Sequence, residues 1–183
     1  MKYLLLGGAG FVGRALSHSL QTSGHEVIVV DDMSTANRNA PRIPGVRLIE
    51  WSVQEYLDLG ELVMWADVVY FLAGSVGVKH VVENPYDTLM NNVSLMVYIV
   101  DWAKKYGKPI IFTSTSEVYG QGPFVEDGTL HIGPPTNLRW GYASAKLTTE
   151  FAIAASGCRY KILRLFNVTG PGQIGDYGMV LPR

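Results

Sequence analysis

Short apolar runs alternate with amphipathic stretches along the whole chain. Residues 3–6 and 27–30 are continuous apolar runs bounded by polar or glycine-rich punctuation, the pattern of strands covered on both faces. Between them a helix is expected over 11–23, opening directly after Gly7-Gly8-Ala9-Gly10. Further strands are expected over 46–50, 68–72, 110–113 and 160–165. A long helix is expected over 85–106, because Asn84 can cap it, Pro85 suits its first turn and Gly107 stops it. Leu89, Val93, Met96, Val97 and Val100 recur along it at helical spacing. A last helix is expected over 142–156, ended by Gly157. Strands alternating with helices imply an α/β, doubly wound, mostly parallel sheet with right-handed crossovers. The connections 32–45 and 120–140 are long, polar and rich in Pro or Gly, and such loops in a compact domain are usually functional.

The first strand–turn–helix unit carries the first chemistry. Gly7 lets the chain reverse at the strand end, Gly10 lets backbone approach a pyrophosphate, and Gly13 lets the helix pack closely on the sheet. N–H groups near Phe11 and Val12, at the helix start, lack intrahelical acceptors and favour an anion. Asp31, closing the second strand, stands where a carboxylate accepts hydrogen bonds from the adenosine ribose and repels a 2′-phosphate. The unit therefore predicts a Rossmann-type site for NAD. Arg38 leaves NADP as the alternative, and a purely structural glycine turn with Asp31 as a strand-end cap is the bland one.

Ligands of such a sheet bind beyond the carboxyl ends of its strands, and Ser114, Thr115, Ser116 and Glu117 follow the predicted fifth strand. Tyr142 and Lys146, at i and i+4, share one face of the last helix, so the ammonium can lie beside the phenol and stabilise its anion. The spacing by itself also suits an ordinary helix-face pair. Its coincidence with the glycine turn, Asp31 and the hydroxyl cluster is what predicts oxidation of an alcohol.

Composition narrows the remaining classes. With 183 residues, 48% of them hydrophobic and 17% charged, the chain can bury one sizeable core. A net charge of −1 with 15 dispersed Lys and Arg gives no basic stripe, so neither nucleic acid nor a membrane surface is an expected partner. The single Cys158 excludes an intrachain disulfide, and the dispersed His18, His25, His80 and His131 form no metal-ligand pattern, so no metal is expected. The apolar start is short and broken by glycine, unlike a signal peptide, and no apolar run of spanning length follows. A reduced, cytoplasmic setting is expected.

These residues, taken together, resemble an extended short-chain dehydrogenase/reductase of the NAD-dependent epimerase/dehydratase family. The likeness rests on Gly7–Gly13, Asp31, Leu72-Ala73-Gly74, Ser114 to Gly120, the Tyr142/Lys146 pair and the stretch Arg164 to Gly172, in that order. The stretches 76–85 and 139–142 are similar to those of nucleoside-diphosphate-sugar epimerases.

The resemblance implies that Leu72, Ala73 and Gly74 join the cofactor site. It implies that Tyr142 takes the proton from a sugar hydroxyl, usually at C4, while hydride passes to NAD. Lys146 would hold the nicotinamide ribose and depress the Tyr142 pKa, Thr115 would bond the same sugar oxygen, and Asn167 would contact the substrate diphosphate. Ser116 and Glu117 are expected beside the substrate. Dehydratases of the family commonly have an Asp where Ser116 stands, whereas a Ser-Glu pair occurs in related decarboxylases. Glu117 is thus a base, a substrate-orienting group or a helix-start carboxylate. Ser52, Leu95-Met96 and Thr169 replace a frequent Asp, Gly-Thr and Tyr of the family.

Residues 1–166 are expected to form the NAD-binding domain and 167–183 the start of a truncated substrate-binding region, since family members continue into a C-terminal substrate domain. Three functions are therefore in play: a nucleotide-sugar epimerase, a 4,6-dehydratase or decarboxylase of the same family, and a non-catalytic NAD-binding module. The helix starting at Pro85 and the Tyr142 helix resemble the pair through which the family dimerises, so a homodimer is expected.

Overall fold

The computed structural model describes residues 1–75 and 78–173, the side chains of 78–80 excepted. Six strands form one sheet: β1 (Lys2–Leu6), β2 (Glu26–Asp31), β3 (Val46–Glu50), β4 (Val68–Phe71), β5 (Ile110–Thr115) and β6 (Tyr160–Leu165). Their order is β3-β2-β1-β4-β5-β6 and each neighbouring pair is parallel. That is the order of a doubly wound dinucleotide-binding sheet, in which the chain works outward from β1 and then crosses back to β4. The resulting crevice opens at the carboxyl ends of β1 and β4. The helices are α1 (Phe11–Thr22), α2 (Leu59–Trp65), α3 (Val78–Glu83), α4 (Pro85–Tyr106) and α5 (Trp140–Ala155), with a 3₁₀ turn over Ser116–Tyr119.

Alternation of side chains across the pleat splits the apolar strands between two cores. Leu4, Leu6, Ile28 and Val30 face α2, α4 and α5, where Leu59, Val63, Ile99, Ala103 and Ile153 close the larger core. Leu5, Val27 and Val29 face the other way, onto Leu16 and Leu20 of α1. Coverage on both faces explains why the central strands read as unbroken apolar runs.

Several expected boundaries move. β2 runs on through Asp31 and β5 through Thr115, because Asp31 pairs with Glu50 and Thr115 with Leu165 in the ladders. Ser114 and Thr115 are thus strand residues, not part of the loop after it. α2 and α3 have no counterpart among the expected elements, being too short to show a helical period. Asn84 stands at the N-cap of α4 without a side-chain capping bond, while Gly107 ends the helix at φ 62°, in the left-handed region. The buried side of α4 is Thr88, Asn92, Met96, Ile99, Val100 and Ala103, and Val97 is exposed. The helix is apolar on two sides, and periodicity alone could not decide which one meets the sheet. Residues 76–77 of the stretch 76–85 and 174–183 of the expected substrate segment lie outside the described residues.

Candidate active site

The β1–α1 turn is built by close backbone packing. Gly7 sits at φ 82°, its N–H donates to the Val30 carbonyl at 2.8 Å, and a Cβ there would run into the backbone of Ala73. A Cβ on Gly13 would lie 2.5 Å from the Gly8 Cα, so α1 rests directly on the turn. Around Gly10, by contrast, a Cβ would meet nothing within 4 Å. Gly10 is also the N-cap of α1, with no side-chain capping bond and no acidic residue in the first turn. Phe11, half-buried, and Val12, exposed, follow it, and by helix geometry their N–H groups have no intrahelical acceptor. An uncapped helix start beneath open space is a cradle for an external anion, and these residues fit the pyrophosphate of a dinucleotide.

Asp31 lies at the same end of the sheet, nearly buried. Its Oδ2 accepts the Ala9 N–H and its Oδ1 the Met33 N–H, both at 2.8 Å. Burial pushes its carboxyl above the ordinary range, against the pull of these backbone donors. The Gly10 N–H acts on it as a third, weaker backbone donor, and of the roughly four acceptor positions of a carboxylate one is left for a ribose hydroxyl. Across the crevice, the Leu72 and Ala73 N–H groups both donate to the Leu6 carbonyl, at 2.9 and 2.7 Å. Gly74 comes next, where a Cβ would lie 2.5 Å from Asn92 Oδ1 and 3.3 Å from Lys146 Nζ. The 72–74 segment therefore bridges the glycine turn and α5.

Thr115 ends β5 and its Oγ1 accepts the Glu117 N–H at 3.2 Å, which starts the 3₁₀ turn carrying Ser116 and Glu117. Tyr142, in the first turn of α5, is close enough to this group for the Glu117 charge and the Thr115 hydroxyl both to act on it. Burial is the larger influence and, with Glu117, pushes the phenol above its ordinary pKa, while Thr115 pulls it down. Lys146, expected to lower it, is not among the groups that act on the phenol. Lys146 Nζ is 6.0 Å from the Tyr142 ring centre and donates instead to the Thr113 carbonyl at 3.1 Å. Burial lowers its own pKa to about 8, which weakens the positive charge it could offer the phenol.

Asn167 is exposed just beyond β6 and, among the described residues, makes no hydrogen bond to these groups. The segment then passes over the glycine turn, a Cβ on Gly170 lying 3.3 Å from the Phe11 ring. Sequence reasoning named Gly8 only as a member of the turn and missed Asn92 and Glu150. Gly8 is hemmed in by Leu5 and Val29, with a Cβ 2.8 and 2.9 Å from them. Asn92 Nδ2 donates to the Ser75 and Thr88 carbonyls at 3.2 and 2.7 Å and so fixes the loop after β4. A polar residue inside the buried stripe of a helix was the available signal for Asn92, and the next i+4 step beyond Lys146 was the signal for Glu150.

Fold and site together define a dinucleotide-binding α/β protein with a hydroxyl–phenol–lysine cluster beside the crevice. The sequence model of the NAD dependent epimerase/dehydratase family matches residues 3–183, and the chain belongs to that family. It is 36% identical to a UDP-N-acetyl-alpha-D-glucosaminuronate decarboxylase of Bacillus cytotoxicus over 98% of this chain and 59% of that protein. It is also 36% identical to a UDP-glucose 4-epimerase of Corynebacterium glutamicum, over 96% of this chain and 54% of the relative. Among solved structures, the NAD dependent NDP-hexosamine 5,6-dehydratase TunA superposes with a TM-score of 0.83 at 32% identity, covering 96% of this chain and 57% of that one. The chain thus spans between half and three fifths of the length of these relatives.

Proposed function

We propose that residues 1–166 are the NAD-binding domain, and 167–183 the start of the substrate region, of a nucleotide-sugar epimerase. The observation that carries the reading is the convergence of Tyr142, Thr115 and Glu117 at the carboxyl end of β5, with Gly74 between Lys146 and the open glycine turn. The substrate is a nucleoside-diphosphate sugar. Gly7, Gly10, Gly13 and the N–H groups of Phe11 and Val12 receive the pyrophosphate of the cofactor, Asp31 its adenosine ribose, and Leu72, Ala73, Gly74 and Lys146 the nicotinamide side. When bound, NAD supplies a hydride acceptor and a cationic ring. With that cationic ring beside it, Tyr142 could give up its proton against the burial that raises its pKa and would then act as general base on the C4 hydroxyl, while the Thr115 hydroxyl would donate to the same oxygen. The C4 ketone can then be reduced from its opposite face, which inverts the centre. Asn167 holds the diphosphate.

Glu117 supports the second reading, a decarboxylase or 4,6-dehydratase acting through the same ketone. The ketone acidifies the neighbouring carbon, and Glu117, whose charge already reaches Tyr142, is placed beside Ser116 to move a proton there. A non-catalytic NAD-binding module is the third. Chromatographic separation with mass and NMR analysis of the products formed from a panel of UDP-sugars with NAD, by this chain and by any longer polypeptide containing it, separates the three. A C4 epimer supports the first, loss of water or CO₂ the second, and NAD binding without product from either polypeptide the third.

The same reading places the protein in the cytoplasm as a homodimer. Among the described residues no helix is long and apolar enough to cross a membrane. Tyr86, Met90, Val97 and Tyr98 of α4 and Phe151 of α5 are exposed, and a two-fold pairing of α4 and α5 would cover them. A monomer in light scattering at high micromolar concentration would contradict the dimer.

A further inference from the structure

Tyr142, Lys146 and Glu150 follow one another at i+4 steps, so all three lie along one side of α5. The first two belong to the site proposed above. Glu150 does not, yet it is 5% exposed and charged. Ser114 Oγ donates to its Oε1 at 2.5 Å, Arg164 Nη2 donates to its Oε2 at 2.7 Å, and Arg164 Nε donates to both oxygens at 3.1 and 3.2 Å. The other arm of the guanidinium, Nη1, donates to Tyr119 Oη at 3.2 Å and to the Glu126 carbonyl at 2.9 Å. Its carbon lies 5.0 Å from the centre of the Tyr119 ring. One ion pair therefore joins β5 next to Thr115, the helix bearing Tyr142 and Lys146, strand β6, and the 3₁₀ turn bearing Glu117.

Stability alone does not account for this pair. A buried ion pair contributes about as much as a well-packed apolar pair of the same volume, because desolvation offsets the attraction. Apolar contacts are non-directional, however, whereas a guanidinium–carboxylate fork sets distance and angle together. Position matters here, since a shift of about 1 Å in a reacting group can lower turnover on the order of 10²-fold.

We propose that the Glu150–Arg164 pair, anchored through Ser114, is a positioning device that fixes α5 against β5 and the 3₁₀ turn and so brings Tyr142 and Lys146 to Thr115 and Glu117. The proposal rests on the reading of those four residues as the reacting groups, but its test needs no turnover. Lys146 is the reporter. Its ammonium is buried, 4.8 Å from the Phe112 ring centre, 6.0 Å from the Tyr142 ring centre and bonded to the Thr113 carbonyl, and among the described residues burial is what moves its pKa.

The variant Glu150→Leu/Arg164→Met removes one charge of each sign and keeps the volume apolar. In the full chain labelled with ¹³C at lysine Cε, with the Lys146 signal assigned through Lys146→Met, its titration midpoint is expected to rise by one unit or more as α5 loosens and water reaches the ammonium. The melting temperature should stay within a few degrees. Loss of the Glu150 charge alone would lower the midpoint, so a rise reports movement. Glu150→Gln, whose amide oxygen can accept from Arg164 while its NH2 donates to Ser114 Oγ, keeps the link without the charge, so its midpoint should not rise. If the double variant does not fold, Ser114→Ala, which removes only the link to β5, should show the rise. An unchanged midpoint in the folded double variant, or in Ser114→Ala if the double variant is unfolded, overturns the proposal. A Tyr142→Phe protein with undiminished sugar oxidation would instead remove the functional reading and leave the titration result as it stands.

Discussion

Gly10 and Gly13 lie one helical turn apart, and the structure predicts opposite consequences for the same added methyl group. At Gly10 the backbone is at φ −68° and ψ 177°, which alanine adopts freely, and nothing lies within 4 Å of the new Cβ. Alanine is a poorer N-cap than glycine by several tenths of a kcal/mol, and it gains about 0.4–1 kcal/mol from a less flexible unfolded chain, so Gly10→Ala should change stability by less than about 0.5 kcal/mol. The space it fills is the space assigned to the pyrophosphate. Losing close approach to the helix start removes about 1–2 kcal/mol of anion stabilisation, a drop of roughly 5- to 30-fold in NAD affinity. At Gly13 the methyl group would lie 2.5 Å from Gly8 Cα and 2.8 Å from its carbonyl, in backbone that cannot rotate away. Overpacking of this kind costs about 1–3 kcal/mol, or about 3–10 °C in melting temperature for a chain of this size. Thermal melts and titration calorimetry with NAD on both variants make the comparison. A Gly10→Ala protein that binds NAD as tightly as the parent would refute the placement of the pyrophosphate. A Gly13→Ala protein with an unchanged melt would refute the packing argument.

Asp31→Ala should lose most of the preference for NAD over NADP, because the buried carboxylate is what repels a 2′-phosphate; equal affinities in the parent protein, by calorimetry, would remove Asp31 from that role. Tyr142→Phe, in a polypeptide that turns over, should keep NAD binding and slow sugar oxidation by about 10²- to 10⁴-fold in single-turnover absorbance at the reduced-cofactor band. Lys146, with a pKa lowered to about 8 from 10.5, loses its proton in the folded chain at a pH where the unfolded chain still holds it. Folding stability should therefore rise with pH through that window, by at most about 3 kcal/mol, and Lys146→Met should flatten the rise in urea unfolding at pH near 8 and near 10. Parallel pH dependences for the two proteins would show that Lys146 is not buried as an ammonium.

The sheet was legible because its strands are covered on both faces, which leaves unbroken apolar runs such as 27–30, and because its glycines must lie where backbones touch. The i+4 spacing of Tyr142 and Lys146 likewise survives folding, since it depends on one helix. Longer-range matters were not legible. Whether Lys146 points at the Tyr142 phenol or at the Thr113 carbonyl depends on how α5 lies on β5, and that is set by residues distant in sequence, Ser114 and Arg164 among them. The raised pKa of Tyr142 has the same origin, because burial by packed neighbours and the Glu117 charge set it, and neither is visible in the i+4 spacing. In α4 the amphipathic pattern has two apolar sides, and Asn92, a polar residue inside the buried one, is the residue that distinguishes them.

The contact of Gly7 with Ala73 has a mechanical corollary. The glycine turn is tied to β2 through the Gly7 N–H and the Val30 carbonyl, and the loop after β4 is tied to β1 through two N–H groups on the Leu6 carbonyl. Both rims of the crevice are thus fastened by main-chain bonds to strands in the middle of the sheet, and the two backbones abut. An outward swing of either rim would break one of these main-chain bonds, so the cleft is a socket whose width is set by backbone contacts rather than by the side chains at Leu6, Val30, Leu72 and Ala73. Those positions are free to drift among residues of similar bulk while the dimensions of the socket stay constant, and a dinucleotide entering it meets a shape already made.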